Sequence, residues 1–64
     1  MKFRDLIKLL EADGWCLAQT EGSHRQFRHP HKKGKVTVAG HPTREVSKGT
    51  LVSIFKQAQM KRSR

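Results

Sequence analysis

The hydrophobic and polar positions of this 64-residue chain change period along its length, and the change predicts the order of its elements. Near the start, apolar side chains recur at intervals of three and four residues, which is the spacing of one face of an α-helix. These residues are Phe3, Leu6, Ile7 and Leu10, and Leu9 widens the face. Gly14 follows, and glycine tolerates the left-handed backbone that often ends a helix. A first helix is therefore predicted over residues 3–13.

The middle of the chain has the two-residue period of β-strands. It predicts strands over residues 15–20, 24–29 and 35–39. A turn at residues 21–23 joins the first two strands. Pro30 ends the second strand, and a basic turn at residues 31–34 leads to the third. Because connections this short join antiparallel neighbours, the three strands are predicted to form an antiparallel meander.

Alternation within the strands predicts which side chains point to the core. In the first strand it groups Trp15 with Leu17 and sets apart Cys16, Ala18 and Thr20. Phe27 of the second strand points inward, as do Val36 and Val38 of the third. The opposite face is then polar and basic, with the side chains of His24, Gln26, Arg28, Lys35 and Thr37.

A second helical pattern spans residues 48–61, where the apolar spacing returns at Leu51, Ile54, Phe55 and Ala58. Ser47 is a suitable N-cap for it, and residues 61–64 form a basic tail. The order helix, three strands, helix predicts a two-layer α+β sandwich with both helices on one face of the sheet. This is the α-β-β-β-α arrangement of double-stranded RNA-binding-domain-like folds, and it makes residues 1–64 a single domain.

Charge indicates the kind of partner to expect. Fourteen Lys and Arg against 5 Asp and Glu give a formal net charge of +9 at pH 7, which favours a polyanion. So short a chain has a thin core and no room for a deep cleft, so an extended substrate bound across one face is expected. The single cysteine, Cys16, excludes an internal disulfide and is predicted to be half-buried. With no signal peptide and no long apolar run, a cytoplasmic protein without membrane contact is expected.

The run Gly22-Ser23-His24 places an imidazole at the start of the second strand, where a side chain is both positioned and reachable. Histidine exchanges protons near neutral pH, so His24 is a candidate for proton transfer. A lone exposed histidine is usually only solvated, and position alone therefore leaves its role open.

The sequence resembles one known family over nearly its whole length. The specific part is the run Gly-Ser-His-x-x-Phe-x-His-Pro at residues 22–30, supported by Gly14-Trp15 before it and by the helix start Gly49-Thr50-Leu51 after it. These motifs resemble the HicA family, the small toxins of bacterial type II toxin–antitoxin modules. The resemblance implies a double-stranded RNA-binding-like fold, mRNA endoribonuclease activity and inhibition by a larger HicB antitoxin. It places the family's catalytic histidine on His24, and we carry no functional residue onto residues 39–45.

RNA cleavage through the ribose 2′-hydroxyl needs a general base and a general acid, and the sequence does not decide which role belongs to His24. The chemistry requires no metal ion or other cofactor. The predicted RNA contacts flank His24 and continue into the basic turn: Ser23, Arg25, Gln26, Arg28, Lys32, Lys33 and Lys35. For the lysines, the alternative is a solvated turn that prevents edge-to-edge aggregation.

The remaining histidines do not have the spacing of a structural zinc site, so no metal is predicted. His29 is predicted to be a packed, hydrogen-bonded residue at a strand end, and Trp15 to lie in the core rather than to stack on a base. Two other functions stay open at this point. One is a non-catalytic RNA-binding module of the same fold. The other is a DNA-binding regulator, although the second helix exposes few base-reading residues.

Overall fold

A computed structural model describes residues 1–60 of the chain. It contains, in chain order, α1 (Phe3–Ala12), β1 (Cys16–Glu21), β2 (His24–Arg28), β3 (Lys35–Ala39) and α2 (Lys48–Gln57). The strands form one antiparallel sheet in the order β1-β2-β3. The predicted α+β class and α-β-β-β-α order are therefore confirmed. Neither helix of this described part is long and apolar enough to cross a membrane.

Strand β1 begins one residue later than predicted, and β2 ends one residue earlier. In each case a hydrogen bond outside the sheet holds the residue concerned. Trp15 precedes β1 instead of opening it, because its N–H donates to Leu10 O at 3.0 Å in the last turn of α1. His29 lies one residue beyond β2, since its ring accepts hydrogen bonds from the backbone of the following turn. Both residues thus link the sheet to its connections.

The second helix is shorter than predicted. It ends at Gln57, because Gln59 adopts a left-handed φ of 54° and the Met60 N–H donates back to Phe55 O at 3.0 Å. Such a left-handed residue and backward hydrogen bond commonly terminate helices. The rest of the predicted extension, residue 61, and the predicted basic tail lie outside the described residues. The N-cap prediction is confirmed, since Ser47 Oγ accepts from Thr50 N at 3.3 Å.

A β-bulge in β1 changes which of its side chains share a face. Cys16 lies opposite Arg28 and Leu17 opposite Phe27, but beyond Ala18 the register shifts, so that Thr20 lies opposite Arg25. Directly opposed residues project to the same side, and Thr20 therefore lies on the helix side of the sheet. The predicted grouping of Cys16 with Thr20 is wrong, because the extra residue of a bulge inverts the alternation.

The core lies between the helices and the inner face of β2 and β3. Its buried residues are Phe3, Leu6, Leu10, Trp15, Phe27, Val36, Val38, Ile54 and Ala58. Phe27 is 1% exposed, and its burial contributes roughly 1.5–3 kcal/mol. Leu17 also faces this side but stays 51% exposed, so the core does not extend over β1. The placement of both helices on one face leaves the other face of the sheet uncovered.

Candidate functional site

We call the uncovered side of the sheet the open face, and it has three cross-strand rows of paired residues. The rows are Glu21–His24–Ala39, Gln19–Gln26–Thr37 and Cys16–Arg28–Lys35. The predicted polar and basic face is confirmed in its five named members. The bulge adds Gln19 and Glu21 to it, which simple alternation along β1 had not placed there.

His24 is the first residue of β2 and directly follows the two-residue turn Gly22-Ser23. Gly22 has φ 59°, a left-handed angle that glycine adopts without strain, and this turn fixes the start of β2. The His24 side chain is exposed, and within residues 1–60 its ring accepts or donates no hydrogen bond. The imidazole is therefore free to approach a bound molecule.

Two cations share the open face with His24. Arg28 and Lys35 are directly opposed, both are exposed, and neither forms an ion pair with the described residues. Glu21 is the sole acidic residue of the three strands and lies opposite His24 at the outer edge. Apart from that carboxylate, the face offers positive and hydrogen-bonding groups to an anion.

Arg25, a predicted RNA contact, lies on the helix side of the sheet. It is half-buried, and its Nη1 donates to Gly40 O at 3.4 Å. Ser23, by contrast, is exposed in the turn beside His24, and its backbone oxygen accepts from Gly40 N at 3.3 Å. These two bonds join the β1–β2 turn and β2 to the chain that leaves β3.

The Lys32 ammonium group forms hydrogen bonds with residues at the ends of both helices. Its Nζ donates to Asp13 Oδ2 at 2.6 Å, to Ala58 O at 3.2 Å and to Gln59 O at 3.3 Å. An ammonium has three N–H donors, so these acceptors use all of them. The same hydrogen bond from Lys32, together with its charge, holds the pKa of the Asp13 carboxyl below its usual value.

The neighbouring Lys33 differs from Lys32 in that its side chain is exposed and forms no bond within the described part of the chain. The structure thus separates two lysines that sequence reasoning had grouped. Of the predicted RNA contacts, it brings Gln26, Arg28 and Lys35 onto the face of His24, with Ser23 and Lys33 exposed in the turns at either end. Arg25 and Lys32 are directed to structural partners.

His29 is packed as predicted. Its Nδ1 accepts from His31 N at 3.0 Å and from Lys32 N at 3.1 Å, so Nε2 is the protonated nitrogen of the neutral ring, and it donates to Asp13 O at 2.7 Å. The ring also makes a T-shaped contact with Trp15, with centroids 5.2 Å apart. Among residues 1–60, no group of three or more His, Cys, Asp or Glu side chains is placed to hold a metal ion.

A second histidine, His41, is exposed at the His24 end of the sheet, and sequence reasoning missed it. Its Nδ1 lies 3.0 Å from Thr43 Oγ1, within a turn that Arg44 N closes by donating to His41 O at 3.0 Å. The sequence signal was the His-Pro-Thr-Arg run, because Pro is favoured at the second position of such a turn. That run alone did not show which part of the sheet the turn adjoins.

Comparison with known families places the chain in one of them. The family model described as the HicA toxin of bacterial toxin-antitoxin systems matches residues 3–60, which is nearly the whole chain. Among curated proteins, none matches.

Proposed function

Because the chain belongs to the HicA toxin family of bacterial toxin–antitoxin systems, we propose that it is an endoribonuclease that cleaves mRNA through His24 without a metal ion. The observation that carries the proposal is the setting of His24. It is exposed, fixed at a strand start, and shares an open face with Arg28 and Lys35. An exposed proton-transfer group at one end of a face that carries cations at its other end suits an extended phosphodiester substrate.

The reaction uses a nucleophile that the RNA itself supplies. The ribose 2′-oxygen attacks phosphorus as the bond from phosphorus to the 5′-oxygen breaks. A base takes the 2′-hydroxyl proton, and an acid gives a proton to the departing 5′-oxygen, which leaves a 2′,3′-cyclic phosphate and a 5′-hydroxyl. Each proton transfer contributes typically about 10²–10⁴-fold, and His24 is positioned for one of them. Arg28 and Lys35, at the far end of the open face from His24, would bind neighbouring phosphates and so help to hold the scissile phosphate in place.

The open face and its two ends form the proposed RNA-binding surface. Arg28, Lys33 and Lys35 supply phosphate contacts, and Gln26 and Ser23 supply hydrogen bonds near the scissile position. Lys32 and Arg25 support this surface from beneath, because their charged groups bind backbone carbonyls of adjoining segments. The proposed path of the RNA strand runs along the sheet from the β2–β3 turn to His24.

We further propose that the protein acts in the cytoplasm and that a HicB-type antitoxin silences it by covering His24. Family membership supports an antitoxin partner, and the net charge of +9 favours a partner that presents acidic groups. Hydrogen exchange of the complex should show protection at residues 22–35. Protection confined to the exposed side of α2 would mean that inhibition does not work by occlusion.

A non-catalytic RNA-binding module of the same fold is the alternative, and one incubation separates the two. The purified protein is mixed with end-labelled single-stranded RNA in excess chelator, and a DNA strand of the same sequence serves as the control without 2′-hydroxyls. Fragments ending in 2′,3′-cyclic phosphate, from RNA alone, are expected. Retention of intact RNA in a gel shift, without fragments, would support the module instead.

A further inference from the structure

We propose that His41 is the second proton-transfer residue, and that it takes whichever of the acid and base roles His24 does not. This inference rests on the proposed function, since it concerns the same cleavage reaction. One imidazole cannot readily remove the 2′-hydroxyl proton and protonate the 5′-oxygen in a single step. A second group is needed on the far side of the phosphorus, and His41 is placed to supply it.

The register places His41 just beyond the strand that pairs with His24. Ala39, the last residue of β3, lies opposite His24, and His41 follows two residues later. A Cβ at Gly40 would meet the Phe3 ring at 2.5 Å, so that position faces the helices. Gly40 N donates to Ser23 O at 3.3 Å, so His41 follows directly beside the turn that precedes His24. Strand spacing and rise put the two histidine Cα atoms on the order of 8 Å apart.

The turn that carries His41 is held in place by the start of α1. The first-turn amides of α1 bond to it, with Phe3 N donating to Arg44 O at 3.0 Å and Arg4 N donating to Pro42 O at 3.1 Å. These bonds satisfy helix donors that have no partner within the helix, and Lys2, at the N-cap position, makes no side-chain cap. The turn therefore forms part of the capping of α1 and cannot shift without loss of those bonds.

The imidazole itself is also oriented. The 3.0 Å contact between His41 Nδ1 and Thr43 Oγ1 engages one ring nitrogen and leaves Nε2 as the nitrogen able to reach a substrate. A hydrogen bond to one nitrogen is a common means of fixing the other for proton transfer. His24, which has no such partner within residues 1–60, takes its position from the strand.

The charges around the gap between the two histidines favour a phosphate there. Arg44 is exposed in the same turn as His41, whereas the Arg25 guanidinium lies on the helix side and donates to Gly40 O. The acidic groups at this end are Glu21 on β1, Asp5 in the first turn of α1, and Glu45, which is engaged by the amino terminus at 3.1 Å. A phosphodiester seated between His24 and His41 would thus have one proton-transfer group on either side of its phosphorus.

The first test compares His41→Ala with His31→Ala, a matched control. His31 is an exposed histidine in the β2–β3 turn, at the opposite end of the sheet. Single-turnover cleavage by His41→Ala should fall about 10²–10⁴-fold, whereas His31→Ala should keep the parent rate. Binding to an RNA with a 2′-deoxy scissile residue, and Tm, should stay near the parent values in both. A folded His41→Ala protein that cuts at the parent rate would overturn this inference and leave the proposed function intact.

The second test assigns the roles. A substrate with sulfur in place of the 5′-bridging oxygen has a leaving group that needs no protonation. The variant that lacks the acid should recover most of its rate on this substrate, and the variant that lacks the base should not. Recovery of one of His24→Ala and His41→Ala is expected. Recovery of both, or of neither, would contradict a division of the two transfers. Intact RNA after incubation with the parent protein would overturn the proposed function and this inference together.

Discussion

Lys32 Nζ lies 2.6 Å from Asp13 Oδ2, and this pair fastens the β2–β3 turn to the end of α1. The same ammonium donates to two carbonyls at the end of α2. Lys32→Met keeps the aliphatic stem and removes all three bonds, so we expect Tm to fall by roughly 5 °C. Lys33→Met, one residue along on an exposed side chain, is the control and should melt like the parent. Equal Tm values for the two variants would show that the hydrogen bonds of Lys32 add no stability.

Asp13 makes the stability of the folded protein depend on pH. Because the Lys32 hydrogen bond lowers the pKa of the folded carboxyl, the folded state binds its proton less readily than the unfolded chain does. The stabilisation is therefore fully present above the unfolded value of about 3.9 and is lost as pH falls through the lower folded value. Tm of the parent should drop more steeply below about pH 4 than Tm of Asp13→Asn. Parallel curves for the two proteins would contradict this linkage.

RNA binding should depend on salt through the exposed cations and not through Lys32. Each phosphate contact on single-stranded nucleic acid contributes about 0.7 to the slope of log K against log salt, so Arg28, Lys33 and Lys35 give roughly −2. Removing Lys33 or Lys35 should each flatten the slope by about 0.7. Lys32→Met should leave it unchanged wherever the variant is folded. Binding is measured with a non-cleavable RNA, and an unaltered slope in Lys35→Ala would place the RNA elsewhere.

Cys16 provides a reporter on the open face. The prediction that it is half-buried is wrong: it is exposed on edge strand β1, opposite Arg28. Non-cleavable RNA bound across the open face should slow alkylation of Cys16. In the control, Cys16→Ser combined with Lys8→Cys moves the thiol to the exposed surface of α1, where RNA should not protect it. Equal protection at both sites would indicate binding without a preferred face.

The sequence predicted the element order and the open face because β2 and β3 alternate strictly, with Phe27, Val36 and Val38 buried and their neighbours not. It did not predict the bulge at Ala18, since one extra residue leaves the local composition of a strand unchanged. The structural role of Lys32 was equally inaccessible, because its partners lie 19, 26 and 27 residues away in the chain. Such pairings depend on how the helices end, and helix ends are the least certain part of a periodic pattern.

The proposed role of His24 in proton transfer is tested by the single-turnover cleavage rate of His24→Ala in excess chelator. Gln26→Ala, a neighbour on the same face that exchanges no protons, is the control. His24 is exposed, so its removal should change stability by within about 0.5 kcal/mol, and melting verifies that the variant is folded. We expect cleavage by His24→Ala to fall about 10²–10⁴-fold, and cleavage by Gln26→Ala to fall much less. A folded His24→Ala protein that cuts RNA at the parent rate would show that His24 transfers no proton in the reaction.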